Sequence, residues 1–137
     1  MMRTVVLVLF GVGLASLAGC GGSGPKTYTV MGTAAWEGKP IPEGQIIFVP
    51  VEASLVPDAG PIKDGRFELQ VKPGKMQVQI HADRETGPKD PIMGVAPRQS
   101  YIPAKYNHQT TLTAEVTPDL KNEFTFHLPE DAPAGKP

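Results

Sequence analysis

Cys20 carries the only thiol of this 137-residue chain, and a thiol can act as a nucleophile, a metal ligand or a disulfide partner. A single cysteine cannot form a disulfide within its own chain, so it is free, paired between chains or chemically modified. The residues Leu17-Ala18-Gly19 precede it, at the end of an apolar stretch that begins near Val5. Small residues directly before Cys20 suit cleavage of the chain there, because a peptidase must bring extended backbone close to its catalytic groups. These surroundings favour covalent modification of Cys20.

Three histidines, His81, His108 and His127, are the next candidates for chemistry. The alternation of apolar residues around His81 and His127 predicts that both point away from the core. Histidines on adjacent strands could form a cross-strand pair and bind a metal. The chain has no His-x-His spacing and no obvious third ligand, so solvated surface histidines are the favoured interpretation. We expect no metal and no other cofactor.

Residue patterns for catalysis are missing. The sequence has no Gly-x-Ser-x-Gly elbow, and neither Ser54 nor Ser100 has an identifiable base beside it. Asp58 and Asp64 lie in predicted turns, where carboxylates usually serve turn geometry. The net charge of −1 and the scattered lysines and arginines argue against nucleic acid as a partner. We therefore expect neither an enzyme nor a nucleic-acid-binding protein.

The elements that would position these residues are strands, because the dominant apolar period from Lys26 onward is two. Asp64-Gly65 is a strong signal for a two-residue hairpin turn. The alternation predicts an all-β fold, a single Greek-key β-sandwich of about seven strands. The predicted strands cover residues 28–36, 46–49, 61–63, 66–71, 76–82, 112–116 and 124–128. The predicted core includes Trp36, Phe48, Phe67, Leu69, Val78, Ile80, Phe124 and Phe126.

Two parts of this pattern are weaker than the rest. Residues 51–60 are predicted to be a loop or a ragged edge, because Pro57 opposes strand pairing. Ala34-Ala35 stand where bulky β-branched residues are expected, so the first strand is expected to have the least secure pairing.

The N-terminal segment has the pattern of a signal peptide over residues 1–19. Arg3 supplies a positive charge, and the following apolar stretch of roughly 15 residues is shorter than the ~20 needed to span a bilayer. Leu17-Ala18-Gly19-Cys20 resembles the bacterial lipobox. The resemblance implies cleavage between Gly19 and Cys20 and attachment of diacylglycerol to the Cys20 sulfur. It also implies export and a membrane as partner through the lipid anchor.

Flexible segments are expected on both sides of the folded part. Residues 20–26 contain Gly21-Gly22-Ser23-Gly24 and predict a tether that holds the domain off the membrane. Resemblance to the lipoproteins of diderm bacteria implies the outer membrane rather than the inner membrane, because Gly21 and not Asp follows the cysteine. Residues 130–137, rich in proline and glycine, predict a disordered tail.

Turn and core residues carry a resemblance to a known family. They are Val30-Met31-Gly32-Thr33, Trp36-x-Gly38-Lys39-Pro40-Ile41, Gly44-x-Ile46-x-Phe48-x-Pro50, Asp64-Gly65-x-Phe67-x-Leu69 and Pro73-Gly74-Lys75-x-x-Val78-x-Ile80. This pattern resembles the carboxypeptidase regulatory-like domain, a transthyretin-like (prealbumin-like) β-sandwich. With the lipobox, the chain is similar to short lipoproteins of this type in planctomycetes. The resemblance implies a sandwich over residues 27–129 and an exported, non-catalytic accessory or binding module of the cell envelope.

An enzymatic branch of the transthyretin-like fold, the hydrolase of hydroxyisourate, is the relative to compare. Membership of that branch would require clustered histidines, an arginine and a C-terminal Tyr-Arg-Gly-Ser. The present chain ends Ala134-Gly135-Lys136-Pro137, so the resemblance does not extend to that activity.

The segment over residues 83–110 fits a simple sandwich least. It is too long for a hairpin, and it combines four prolines with aliphatic and aromatic residues. One interpretation, which we favour, is a crossover that caps one open end of the sandwich. The other is a binding surface for an envelope protein or a glycan, with Tyr101, Lys105, Tyr106 and Asn107 as contacts. A purely structural envelope protein without a specific ligand is the alternative function.

Overall fold

The computed structural model describes residues 24–129. The predicted signal peptide, Cys20 and the predicted tail over residues 130–137 lie outside the described residues. The described part is all-β and contains no α-helix. Its elements are β1 Tyr28–Trp36, β2 Lys39–Pro40, β3 Glu43–Pro50, β4 Asp58–Lys63, β5 Arg66–Val71, β6 Gly74–His81, β7 Asp83–Glu85, β8 Arg98–Ser100, a 3₁₀ turn Ala104–Tyr106, β9 Thr113–Val116 and β10 Asn122–Leu128.

Eight strands form one curled sheet. Its order is β10-β1-β5-β4-β3-β6-β9, with the short β2 beside β1. The pairings are antiparallel except for β1 with β10, which is parallel. Phe48 on β3 lies 6.3 Å from Phe124 on β10, between ring centroids, although three strands separate β3 from β10 in the sheet. The sheet must therefore curl so that its two ends face each other across the core.

The core occupies the inner face of the curl, and the eight predicted core residues all belong to it. Phe48, Phe67 and Phe126 are buried, and their rings lie 6.0–6.3 Å from neighbouring rings. Trp36, Leu69 and Phe124 are partly buried and pack against the same cluster, which also contains Val78 and Ile80. The prediction of these core residues is confirmed, because alternation in a strand places every second side chain on the same face.

The expectation that the first strand pairs least securely is wrong. β1 pairs with β10 along Val30–Trp36 and with β5 along Tyr28–Thr33. Small residues permit this close packing. A Cβ at Gly32 would lie 1.8 Å from the carbonyl oxygen of Phe124, and Ala34, which is paired with Phe126, is buried. Small side chains here allow β10 to approach, so they are a requirement of the pairing.

The expectation of a loop through residue 60 is also wrong, because β4 begins at Asp58, directly after Pro57. β4 pairs with β3 over six residues but with β5 only at Ile62 and Lys63. Lys63 and Arg66 flank a two-residue turn in which Asp64 and Gly65 both have positive φ. Beyond Lys63, the next residue of β4 whose backbone N–H would point toward β5 is Pro61, and proline has no N–H to donate. Proline therefore shortens one pairing of β4 and leaves the other intact.

The register divides the loops between two ends of the fold. Residues 24–27 lead into β1 at the end that we call the lower end. The opposite, upper end contains Trp36, which pairs with Leu128, and His81, which pairs with Gln45 at the start of β3. Because β6 finishes at the upper end, the segment that follows it begins there. The chain thus enters the domain at one end and places residues 83–110 at the other.

Candidate functional site

The segment over residues 83–110 contains two distinct parts. The first is a finger, residues 83–100, in which β7 and β8 form a two-stranded hairpin with Asp83 opposite Ser100. The second is a cap, residues 101–110, which contains the 3₁₀ turn. The expectation that this segment is too long for a hairpin is therefore only half correct. It holds a hairpin with a long tip and then a separate cap.

The cap closes the upper opening of the curled sheet. At one side the Tyr101 N–H donates to the carbonyl of Ala82, and the Thr110 hydroxyl donates to the carbonyl of Val78, 2.6 Å away. At the other side the Tyr106 hydroxyl donates to the carbonyl of Pro129, also at 2.6 Å. Val78 lies on β6, and Pro129 directly follows β10, with four strands between β6 and β10 in the sheet order. The cap thus connects two walls that do not pair directly.

Tyr106 and Asn107 hold the cap from inside. Tyr106 is 6% exposed, and its ring meets Trp36 edge-on at 6.1 Å. Asn107 is also buried. Its side-chain amide donates to the carbonyl of Ile102, and its Oδ1 accepts from the N–H of His108. Each buried polar group of the Tyr106 and Asn107 side chains has a hydrogen-bond partner within the domain.

The four residues predicted as a binding surface therefore do not share one exposed face. Tyr101 and Lys105 are half-buried at the rim of the cap, with the Lys105 ammonium 5.1 Å from the centre of the Tyr106 ring. The Arg84 guanidinium lies 5.9 Å from the ring of Tyr101. Burial raises the pKa of the Tyr101 phenol, and nearby Arg84 opposes that shift. The binding interpretation can apply only to Tyr101 and Lys105, because Tyr106 and Asn107 are covered.

The tip of the finger, residues 90–95, is a well-defined turn. Oδ1 of Asp90 accepts hydrogen bonds from the backbone N–H groups of Ile92 and Met93, both at 2.8 Å. The Gly94 N–H donates to the Asp90 carbonyl, and the Asp90 N–H donates to the carbonyl of Val95. Gly94 has φ +68°, which glycine adopts without strain. These bonds hold the tip in one shape without support from the core.

Three apolar side chains are exposed on this turn. Ile92 is 91% exposed, Met93 74% and Val95 58%. Exposed apolar clusters on a protein surface often mark interaction sites. In the sequence these residues are part of the aliphatic content of residues 83–110, whereas the predicted contacts lie within residues 101–107. The Asp-Pro-x-x-Gly pattern with apolar residues in the middle was the signal for an ordered, outward-facing tip.

The Asp90 carboxylate stays ionised at the tip. Hydrogen bonds from the N–H groups of Met93 and Ile92 stabilise its charged form and lower its pKa. Its neighbour Lys89 has the opposite charge. The tip therefore combines a small apolar surface with one anion and one cation.

A second surface feature is a groove on the outer face of the sheet, across β10, β1, β5 and β4. It is a shallow groove, open to solvent, with a volume of about 610 Å³. Its apolar part comes from Met31 and Pro61. One row of charges, Lys63 and Arg66, lies at the turn between β4 and β5, and Glu68 and Glu123 flank Met31 two residues further along the strands. We call this the outer groove.

The histidines do not come together. His81 lies on β6 and His127 on β10, and four strands separate these in the sheet order, so the cross-strand pair considered above does not form. Within residues 24–129, no three His, Cys, Asp or Glu side chains are grouped in a way that could hold a metal ion. In the same residues, no helix has the length and apolar character needed to cross a bilayer.

Comparisons with known proteins give no relative. No protein-family model matches the chain, and neither curated proteins nor solved structures provide a significant match. The arrangement of the finger, the cap and the outer groove is therefore the basis for assigning a function.

Proposed function

We propose that this chain is a lipid-anchored protein of the bacterial cell envelope, and that its non-catalytic β-domain acts as a binding or adaptor module. The observation that carries the binding role is the finger tip, where Ile92, Met93 and Val95 are exposed on a turn held by Asp90. Exposing apolar surface to water is unfavourable, so a turn that is ordered in this way is best explained by a partner that covers it.

The anchoring role rests on the lipobox that ends at Cys20. The tether and the finger leave opposite ends of the domain, since residues 24–27 lie at the lower end and the finger begins beyond β6. Seven residues between Cys20 and Tyr28 extend at most about 25 Å. An anchor at Cys20 would hold the lower end near the membrane and direct the finger tip away from it, toward partners in the envelope space.

We also propose that the domain is a Greek-key sandwich of the carboxypeptidase regulatory-like, transthyretin-like type. In support, the sheet order β10-β1-β5-β4-β3-β6-β9 brings strands that are distant in sequence side by side. Two walls also meet across one core, as the contact between Phe48 and Phe124 requires. A solved structure of the domain, compared strand by strand with that family, tests this assignment.

A capture experiment tests the binding role. The full chain, extracted from native membranes in mild detergent, should retain a stoichiometric partner, and Ile92→Asp should lose it. Leu120→Asp is the matched control, because Leu120 is 71% exposed in the turn before β10, at the lower end. If wild type and Ile92→Asp capture the same proteins, the tip is not a binding site, and a purely structural envelope role becomes the better explanation.

A further inference from the structure

The exposed tip and the outer groove are complementary features of one chain. The tip offers three apolar side chains beside Lys89 and Asp90. The outer groove offers apolar surface from Met31 and Pro61 at the level of the acidic residues Glu68 and Glu123, and a basic row, Lys63 and Arg66, two residues further along the strands. Residues two apart along a strand are about 7 Å apart, so the two rows can each meet one of the two tip charges.

The tip does not fill the groove of its own molecule. Ile92 is 91% exposed, and the residues that line the groove lie on β1, β4, β5 and β10, whereas the finger continues from β6. A groove of about 610 Å³ has room for several side chains. The occupant that the chain itself supplies is therefore the tip of another molecule.

We propose that the finger tip of one copy docks in the outer groove of a second copy of this chain. Ile92 and Met93 pack against Met31 and Pro61, Asp90 faces Arg66 and Lys63, and Lys89 faces Glu68. This inference rests on the proposed function, because it requires that the tip bind a partner. It adds that the partner is a second copy of this chain.

A lipid bilayer is a poorer partner for the finger tip than the outer groove, for two reasons. The Asp90 carboxylate lies within the tip, and moving an ionised carboxylate into a lipid surface is unfavourable. The charges of the finger also balance: Arg84, Lys89 and Arg98 are matched by Asp83, Glu85 and Asp90, so the finger has no excess of cations to attract an anionic surface. The outer groove has both basic and acidic side chains, and the tip has one cation, Lys89, and one anion, Asp90, so the charges of the two surfaces are complementary.

The contact joins two different surfaces, so the second copy keeps its own free tip. Such heterologous contacts continue from copy to copy unless the geometry closes a ring. Four side chains of the tip form a small interface, and the contact is weak in dilute solution. Confinement to a membrane surface raises the local concentration of copies and favours the association.

A photo-crosslinking experiment on the full chain in its native membrane tests the proposal. The probe is p-benzoyl-phenylalanine introduced in place of Ile92, with the same replacement at Leu120 as the matched control. We expect a product at twice the mass of the chain, with higher multiples, only from the probe at position 92. We expect the crosslinked peptide to lie within residues 31–33 or 61–68.

The other outcomes overturn the proposal in distinguishable ways. A crosslink from position 92 to a different polypeptide overturns docking between copies and leaves the proposed binding role standing. Crosslinks to lipid alone, or none, overturn both. Crosslinks between copies that map outside the outer groove overturn the assignment of the groove.

Charge exchange supplies an independent test. Lys89→Glu should reduce the yield of crosslinked dimer at least tenfold, which corresponds to 1.4 kcal/mol, and so should Glu68→Lys. The double variant should restore the yield. Both side chains are exposed, so neither change should affect folding. Equal yields in the single variants, or no recovery in the double variant, would show that these charges do not meet.

Asp90→Asn separates the charge of the tip from its shape. Asparagine keeps the side-chain oxygen that accepts from the N–H groups of Ile92 and Met93, and it removes the negative charge. We expect this variant to keep the turn and to lose yield as the charge-exchange variants do. An unchanged yield would contradict the contact between Asp90 and the basic row.

Discussion

Replacing Tyr106 with alanine should destabilise the domain strongly, because this side chain closes the cap from inside. The ring is 6% exposed and meets Trp36 at 6.1 Å, and the hydroxyl donates to the Pro129 carbonyl. Removing a buried aromatic ring costs about 3–5 kcal/mol, and the edge-on contact with Trp36 belongs within that sum. Tyr106→Phe removes only the hydrogen bond, so it should cost about 0.5–1.5 kcal/mol.

Thermal and urea melts of a soluble fragment that starts at Gly24 and retains Pro129 measure both values. In a domain of about 100 residues, each 1 kcal/mol lowers Tm by about 4–8 °C. Tyr106→Phe should therefore lower Tm by several degrees, and Tyr106→Ala by well over 10 °C. A melt of Tyr106→Ala that matches wild type would refute the assignment of Tyr106 to the core and would return it to the candidate binding residues.

Four further predictions follow from the same structure and sequence. Cys20→Ala should remove the lipid anchor and prevent cleavage after Gly19; a variant that stays membrane-bound and is still cleaved would contradict lipidation. Phe67→Ala should cost about 3–5 kcal/mol in urea melts, and a far-ultraviolet spectrum dominated by helix in the wild-type fragment would exclude the fold altogether. Chelators should leave the Tm of the fragment unchanged, whereas a fall of several degrees would reveal a metal site. The pKa of Asp90 is lowered from 3.8 by its backbone donors, so the turn should persist above that pH and loosen only below it; NMR shifts of the Ile92 and Met93 amides that titrate above pH 4 would disagree.

Local patterns in the chain were sufficient to predict most of the strands and the core. Alternation placed Phe67 and Leu69 on the inner face and Glu68 on the outer face, because the side-chain period of a strand is two wherever the strand pairs. Asp64-Gly65 predicted its turn correctly, because both residues tolerate the positive φ that a two-residue hairpin requires. These features depend on neighbours in sequence, and the sequence displays those neighbours directly.

The strand order and the structure of residues 83–110 could not be predicted from local patterns and became clear only from the tertiary structure. The parallel pairing of β1 with β10 joins segments from opposite ends of the domain, and the small side chains at Gly32 and Ala34 make sense only with β10 beside them. Composition could not separate Tyr106, which is buried, from Ile92, which is exposed, because both are large and apolar and lie in the same proline-rich segment. Burial is decided by what other parts of the chain bring to a residue: Trp36 and Pro129 come to Tyr106, whereas no part of the described chain covers Ile92.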